Sequence, residues 1–505
     1  MKPWKSISGC AALITLMGST AALADVTAQE VWADWNSYLT GFGYQISAQQ
    51  NTSGDTLTVT DFTATTTLPE DGGSVTLTLA SLEFTDRGDG TVAVSMAQHN
   101  PVIMDITPKD GKPVHMELDY FQTGLSMIVS GTADEMTYAS TASEMGIELK
   151  DLTVDGTKAD AVSALLTGRD FLGNYVSRVG NLRSMESNSS FGSIEYKISV
   201  ADPEGKGSFD ISGMLEDLKT TAAGAFPMAM DFQDLGSALK AGFSANGNVT
   251  YGQGSSDFSA NDNGKITSGS SSSTGGSLEF ALDENHLMYG ATNQNAEMTF
   301  SSPDIPFPSL TIKMAETVAK LMLPVSKSDT PQDFGFTIKL VDFALPEEVW
   351  SIADPTGTLP HDPATVILDL AGKAKLFFDI LDPKAQEEMQ GQAPGEVDEL
   401  KLNALEVKVA GADLTGNGAF TLDNNDLETF GGVPKPIGSI NLKLVGGNAL
   451  LDKLVQMGLL PEDQAMGFRM MTGMFAKPGD GDDVLVSTIE FTEDGQVLAN
   501  GQRLK

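Results

Sequence analysis

Long stretches of this 505-residue chain alternate apolar and polar residues with a period of two. That period puts every second side chain on one side of an extended strand, so it commits the chain to sheets with one buried face. Between Tyr44 and Leu152, for example, Val75, Leu77 and Leu79 alternate with Thr76 and Thr78. Glu70-Asp71-Gly72-Gly73, Gly88-Asp89-Gly90 and Lys109-Asp110-Gly111-Lys112 punctuate the run as hairpin turns, where glycine supplies positive φ. A second strand-rich block covers roughly 190–300, and Leu402–Val409 and Ile440–Val445 alternate cleanly. Leu368, Leu370, Lys373, Lys375 and Phe377 also fit a strand. The stretch Gly252–Gly276, with its run Ser270–Ser273, predicts long hairpin tips or a solvated loop.

Helical spacing interrupts the strands. Thr27-Ala28-Gln29-Glu30 has the spacing of a capping box, and Val31, Trp32, Trp35 and Leu39 follow on one helix face. Val162, Leu165, Leu166, Leu172, Tyr175, Val176, Val179 and Leu182 predict a helix near 157–185, broken at Gly168 or Gly173. Further helices are expected over 312–323 and around Glu347–Ile352, and a helical hairpin over 447–475. Pro461 opens the second arm of that hairpin, and Glu462 and Asp463 suit the positive end of its dipole. A β-hairpin over 487–500 closes the chain. The fold class is therefore α+β and strand-dominated, with extended antiparallel sheets and a few packing helices. Pro303, Pro306 and Pro308 mark the boundary between an N-terminal β-rich domain, 25–302, and a C-terminal α+β domain, 303–505. Ser81–Asp86, Ser277–Phe280 and Thr488–Glu493 echo one another ahead of acidic turns, either as repeated β-units or as shared hairpin composition.

Residues 1–24 read as a secretory signal, with Lys2 and Lys5, an apolar stretch to Leu23, and cleavage after Ala24. Ile7-Ser8-Gly9-Cys10 mimics a lipoprotein box, but Cys10 precedes most of the apolar region. Cleavage removes the only cysteine, and with it any disulfide or thiol chemistry. A periplasmic location follows as the expectation. No later run is long and apolar enough to predict a membrane span. The whole chain has 31 Lys+Arg against 68 Asp+Glu, a net charge of −37. Losing Lys2 and Lys5 leaves 29 bases against 68 acids, or −39. Nucleic-acid binding needs a basic footprint that this chain lacks. The acidity reads as a solubility device for an exported β protein.

Motifs for chemistry are sparse. His99, His115, His286 and His361 have no helical metal spacing. No nucleophile elbow, Walker loop or dinucleotide fingerprint occurs, and Ser237-x-x-Lys240 lacks the companion elements of penicillin-recognising enzymes. Asp413-x-Thr415-x-Asn417-Gly418 begins like a calcium loop but has Asn424 at its twelfth position. Asp86/Asp89 and Asp480/Asp482/Asp483 read as turn acids. No catalytic, cofactor or metal residue is assigned. Two helices carry the remaining signal. Trp32 and Trp35 read as a plug on a sheet or, more sharply, as a lid over an apolar groove. Met466, Met470 and Met474, with Phe468, Met471 and Phe475, make the last helix apolar over much of its circumference. Such a helix is buried on several sides or offers a plastic surface to a lipid-like ligand; burial is the first reading. The candidate apolar-ligand contacts are accordingly Trp32, Trp35, Met466, Met470, Met474 and Phe475.

Both ends of the chain carry a resemblance. The stretch Ala24–Trp32 resembles the mature start of a Gram-negative periplasmic family, domain of unknown function 2125. So do Lys443–Asn448, Met457–Ala465 and Ala499–Leu504. The resemblance implies an exported protein and supplies no activity and no site residues. The leading expectation is a non-enzymatic envelope protein holding an apolar or lipid-like ligand. A hydrolase whose acids converge only in the fold, and a structural or interaction protein, are the alternatives.

Overall fold

The computed structural model describes residues 25–505 except 68–73, 107, 109–110, 203–204, 229, 231–233, 383–384, 386–388 and 390–391. The expected signal segment and cleavage site, the turn expected at 70–73 and the Lys109-Asp110 half of the turn expected at 109–112 lie outside the described residues. Strands make up 63% of the structure and helices 12%, a strand-dominated α+β fold.

A helix, α1 (Ala28–Gly41), leads into β1 (Gln45–Ser53), β2 (Thr56–Thr67), β3 (Ser74–Asp86) and β4 (Val92–Ser95). Then come β5 (His99–Ile106), β6 (Val114–Thr123), β7 (Ser126–Thr132), β8 (Glu135–Val154) and β9 (Thr157–Lys158). The longest strands follow: β10 (Val162–Val179), β11 (Leu182–Ala201) and β12 (Gly207–Pro227). After α2 (Leu235–Lys240) come β13 (Ser244–Tyr251), β14 (Gly254–Asp262), β15 (Lys265–Ser273), β16 (Gly275–Leu282) and β17 (His286–Ser301). Next are β18 (Leu310–Pro324), β19 (Gln332–Phe343), α3 (Glu347–Ala353), β20 (Ala364–Leu376) and β21 (Gly395–Val409). The chain ends with β22 (Ala412–Asp423), β23 (Lys435–Val445), α4 (Gly447–Gln456), α5 (Glu462–Phe475) and β24 (Lys477–Pro478). Behind these lie β25 (Val484–Phe491), β26 (Val497–Ala499) and β27 (Gln502–Arg503).

All of these strands join one antiparallel sheet, and almost every strand pairs with its neighbour in sequence. Where one long strand faces two short ones, the pieces lie end to end: β13 and β14 both pair with β12, and β15 and β16 both pair with β17. At about 4.8 Å per strand the sheet is on the order of 85 Å long. The chain exposes 29037 Å², where a compact monomer of this mass would expose roughly 18,000 Å². A single sheet left open over much of both faces accounts for that excess.

Four expectations need correction. The stretch near 157–185 is not a helix but β10, laddered to β8 and β11 along its length. The segment 312–323 is not a helix but β18, paired with β17 and β19. Its Ala, Glu, Lys, Leu and Met residues favour helix locally, and two flanking ladders override that preference. Gly252–Gly276 is not a solvated loop but a long hairpin within the sheet, with β14 and β15 paired from Gly254↔Ser273 to Asp262↔Lys265. The last helix, α5, buries only Ala465. The opening helix, α3, the helical hairpin, β20 and the closing hairpin fall where the patterns place them. β17 and β18 pair from His286↔Pro324 to Phe300↔Leu310, across the proline-marked segment.

The densest core lies beneath α1. Trp32 is buried against Phe62, with ring centroids 6.0 Å apart and planes at 81°, and against Phe84 at 6.1 Å. Thr27 and Glu30 form the capping box, with Glu30 N donating to Thr27 Oγ1 at 3.3 Å and Thr27 N to Glu30 Oε2 at 2.8 Å. Asp86 adds a second cap by accepting from Ala28 N at 2.7 Å.

Candidate apolar ligand face

Register determines which side chains share a face, because cross-strand partners point the same way. Leu166 faces Ile147 on β8 and Tyr196 on β11, and Ile198 faces Ile211. Farther along, Phe280 faces Tyr289, Tyr289 faces Leu321, Leu321 faces Phe336 and Phe336 faces Leu370. All of these belong to one side of the sheet. The other side is charged. Arg169 bridges Glu144 and Glu195 on the two flanking strands, Arg178 bridges Glu135 and Glu186, and Lys375 bridges Glu396 and Asp398.

Five strands change phase partway along, and this helps keep the apolar face continuous. In β2, Leu57 and Val59 are buried, then Phe62 and Ala64, a step of three instead of two. Asp61 sits inside that step with φ 51°. Asp170 in β10, Asp217 in β12, Asn295 in β17 and Asp342 in β19 repeat the device, with φ from 48° to 54°. A left-handed residue reverses the pleat, so the apolar residues on both sides of it reach the same face. Flanking pairs place Asp170 opposite Gly192, Gly192 opposite Asp217, and Asp217 opposite Gly252. A Cβ at Gly192 would lie 3.2 Å from that of Asp170, and one at Gly252 would lie 3.3 Å from that of Asp217. Glycine opposite Asp170 and Asp217 therefore makes room for the seam at those two positions.

Aromatic rings lie down over other glycines of the apolar face: Phe191 over Gly168, Tyr196 over Gly213, Phe258 over Gly269 and Phe334 over Gly372. They keep the floor shallow. Away from α1, α5 and the edge packed by α2, it stays uncovered. Ile147, Leu166, Phe209, Tyr289 and Met298 are 42–51% exposed. More than a dozen large side chains on this face are over a third exposed, which uncovers on the order of 1,000 Å², against about 300–600 Å² for the largest patch of a typical monomer.

Helices roof the two ends. Beneath α1 a cavity of 420 Å³ is lined by Asp34, Trp35, Tyr38 and Leu39 of the helix and by Met127, Tyr138, Ser140, Tyr175 and Met185 of the sheet. A buried polar network pins the roof. Arg183, 4% exposed, donates to Asp34 Oδ1 at 2.5 Å and to Ser177 Oγ at 2.9 Å. Tyr138 OH donates to Asp34 Oδ2 and accepts from Trp35 Nε1, both at 3.2 Å. Burial pushes the Tyr175 phenol up to about 12. Burial also raises the Tyr138 phenol, and the Asp34 carboxylate raises it further. Both stay protonated at neutral pH. At the far end, 410 Å³ lies between α5 and the sheet, lined by Met471 and Phe475 with Leu414, Leu442, Leu444 and Ile489.

The candidate contacts thus divide. Trp35 lines the first cavity and Phe475 the second, whereas Trp32 is core. Met466, Met470 and Met474 are 60–73% exposed and line neither cavity. The open middle of the face was absent from the sequence-based set, although the alternation that marks it was legible.

The acidic motifs have structural work. Asp483 accepts from Asn448 N at 3.2 Å and Ala449 N at 2.9 Å, capping α4. Asp89 closes its own turn through Thr91. Asp413, Thr415 and Asn417 lie along β22 and form no loop. Ser237 bonds Asp234 at the start of α2, and Lys240 pairs with Asp379 at 2.6 Å. The polar hollow of 550 Å³ beside Asn417 and Asn441 holds one carboxylate, Glu406. Among the described residues no three His, Cys, Asp or Glu side chains group to hold a metal. None of the described helices is long and apolar enough to cross a membrane.

Fold and face define an extended antiparallel-sheet protein with one charged side and one apolar side. Residues 291–504 match the model of an uncharacterised protein family conserved in bacteria, domain of unknown function 2125, the family that the terminal motifs resemble. The C-terminal motifs lie inside that match and the Ala24–Trp32 motif lies outside it. Comparison with curated proteins and with solved structures found no match.

Proposed function

We propose that this chain is an exported, non-enzymatic protein of the bacterial envelope that holds an apolar, lipid-like ligand along the open face. The observation that carries the reading is the continuity of that face. It crosses many strands without a charged interruption, and five left-handed residues keep it in phase. A face needed only for folding would be covered; this one is roofed by α1 and α5 at its ends and packed by α2 along one edge near Phe226 and Leu282, and much of the rest is open. The opposite face, with its ion-pair rows, supplies the solubility. Export rests on the pattern of residues 1–24.

Native mass spectrometry and solvent extraction of protein purified from periplasm test the proposal. Bound lipid, or affinity of the emptied protein for acyl chains, is the expected result. An empty protein indifferent to acyl chains would sink it.

A further inference from the structure

We infer that the cavity beneath α1 seats one end of the ligand and selects a neutral amphiphile, such as a long-chain alcohol or ester, over an ionised fatty acid. The inference rests on the apolar-ligand reading above and adds the headgroup class to it.

The cavity has the volume of a small-molecule site, 420 Å³ against a usual range of about 300–1,000 Å³. Its walls are mostly apolar: Trp35, Leu39, Met127 and Met185. Asp34 is the one charged residue among the described lining residues, and no lysine or arginine joins it. The cation behind the wall, Arg183, is already engaged by Asp34 and Ser177. A ligand carboxylate would therefore find no free positive partner and would stand beside a negative one. An ionised group taken into such a site without a partner is strongly disfavoured. Turning the ligand round leaves its carboxylate in water above the open floor but gives up the hydrogen bonds of a seated headgroup. A hydroxyl or ester fares differently. Ser140 and the Tyr175 phenol are neutral hydrogen-bonding groups at the wall, and burial keeps that phenol protonated.

The test uses the delipidated mature chain and two probes of equal length, 1-dodecanol and dodecanoate, each displacing a fluorescent apolar dye at pH 8. Dodecanol is expected to displace the dye at a concentration roughly tenfold lower or more. Dodecanoate acting equally well or better would overturn the inference and leave the apolar-ligand reading intact. Failure of both probes to bind would overturn that reading itself. Met185→Trp and, separately, Met127→Trp fill the cavity from the sheet side. Whichever variant keeps the wild-type circular dichroism and melting profile should lose most of its dodecanol affinity. Undiminished dodecanol binding in a folded, filled variant would also overturn the assignment.

Discussion

Aspartate is a poor strand former, yet Asp61, Asp170, Asp217 and Asp342 each occupy the interior of a strand at φ near +50°. Their value lies in the backbone. Asp and Asn tolerate the left-handed region better than other residues with a Cβ, and there they turn the pleat by one position. The expected consequence is a substitution order that propensity alone would reverse. Asp170→Gly should change stability by no more than about 0.5 kcal/mol, because glycine enters the same region freely. Asp170→Val should cost about 2 kcal/mol or more, although valine is the better strand former. Urea denaturation measures both, and equal stability for the two variants would dismiss the seam. The same residues explain the misread helix. In β10 the pleat reversal at Asp170 sets a step of three between steps of two, and Leu165, Leu172 and Val176 occupy the opposite side. A helical stripe and a phase-shifted strand then look alike in one dimension.

Among the elements, α1 and α5 look similar in sequence and differ in packing. Each carries several large apolar side chains, but α1 buries Val31 and Trp32 while α5 buries only Ala465. Met466→Gln, Met470→Gln and Met474→Gln should each shift stability by less than about 0.5 kcal/mol, because these side chains already stand in water. Trp32→Ala should cost about 3–5 kcal/mol through the cavity it leaves. Chemical denaturation separates the two cases, and a loss of 2 kcal/mol or more for a methionine variant would mean that α5 packs against something. Nothing within α5 itself distinguishes the two packings, because a helix's burial depends on what the rest of the chain brings to it. Its neighbour α4 was legible as a helix, but its cap was not, because Asp483 reaches Ala449 N from 34 residues farther along the chain.

At the scale of the whole molecule, most ladders join neighbours in sequence and the rest skip only one or two strands, so the sheet is close to one-dimensional. Stability in such an array is a sum of local terms. The core under α1 should hold its amides longest. Hydrogen exchange is expected to be slowest in β2–β4, β7 and the first half of β8, where Leu57, Phe84, Val92, Val129 and Met136 are fully buried or nearly so, and faster through β14–β19. Uniform protection from end to end would contradict this and indicate a single cooperative unit.

The strand-dominated class, the opening and C-terminal helices and the Thr27–Glu30 capping box were legible in the sequence, because those rest on patterns and contacts a few residues apart, whereas the caps supplied by Asp86 and Asp483 come from 34 or more residues away. The sequence also carried the amphipathic alternation from which the apolar face is built. Tertiary structure decided the rest. Whether β10 and β18 are helix or strand depends on ladders supplied by neighbouring strands. Which alternating residues share a face depends on register, summed over strands and reversed at each left-handed residue. Whether the assembled apolar face is roofed or open depends on where a few helices come to rest, and no local pattern encodes that.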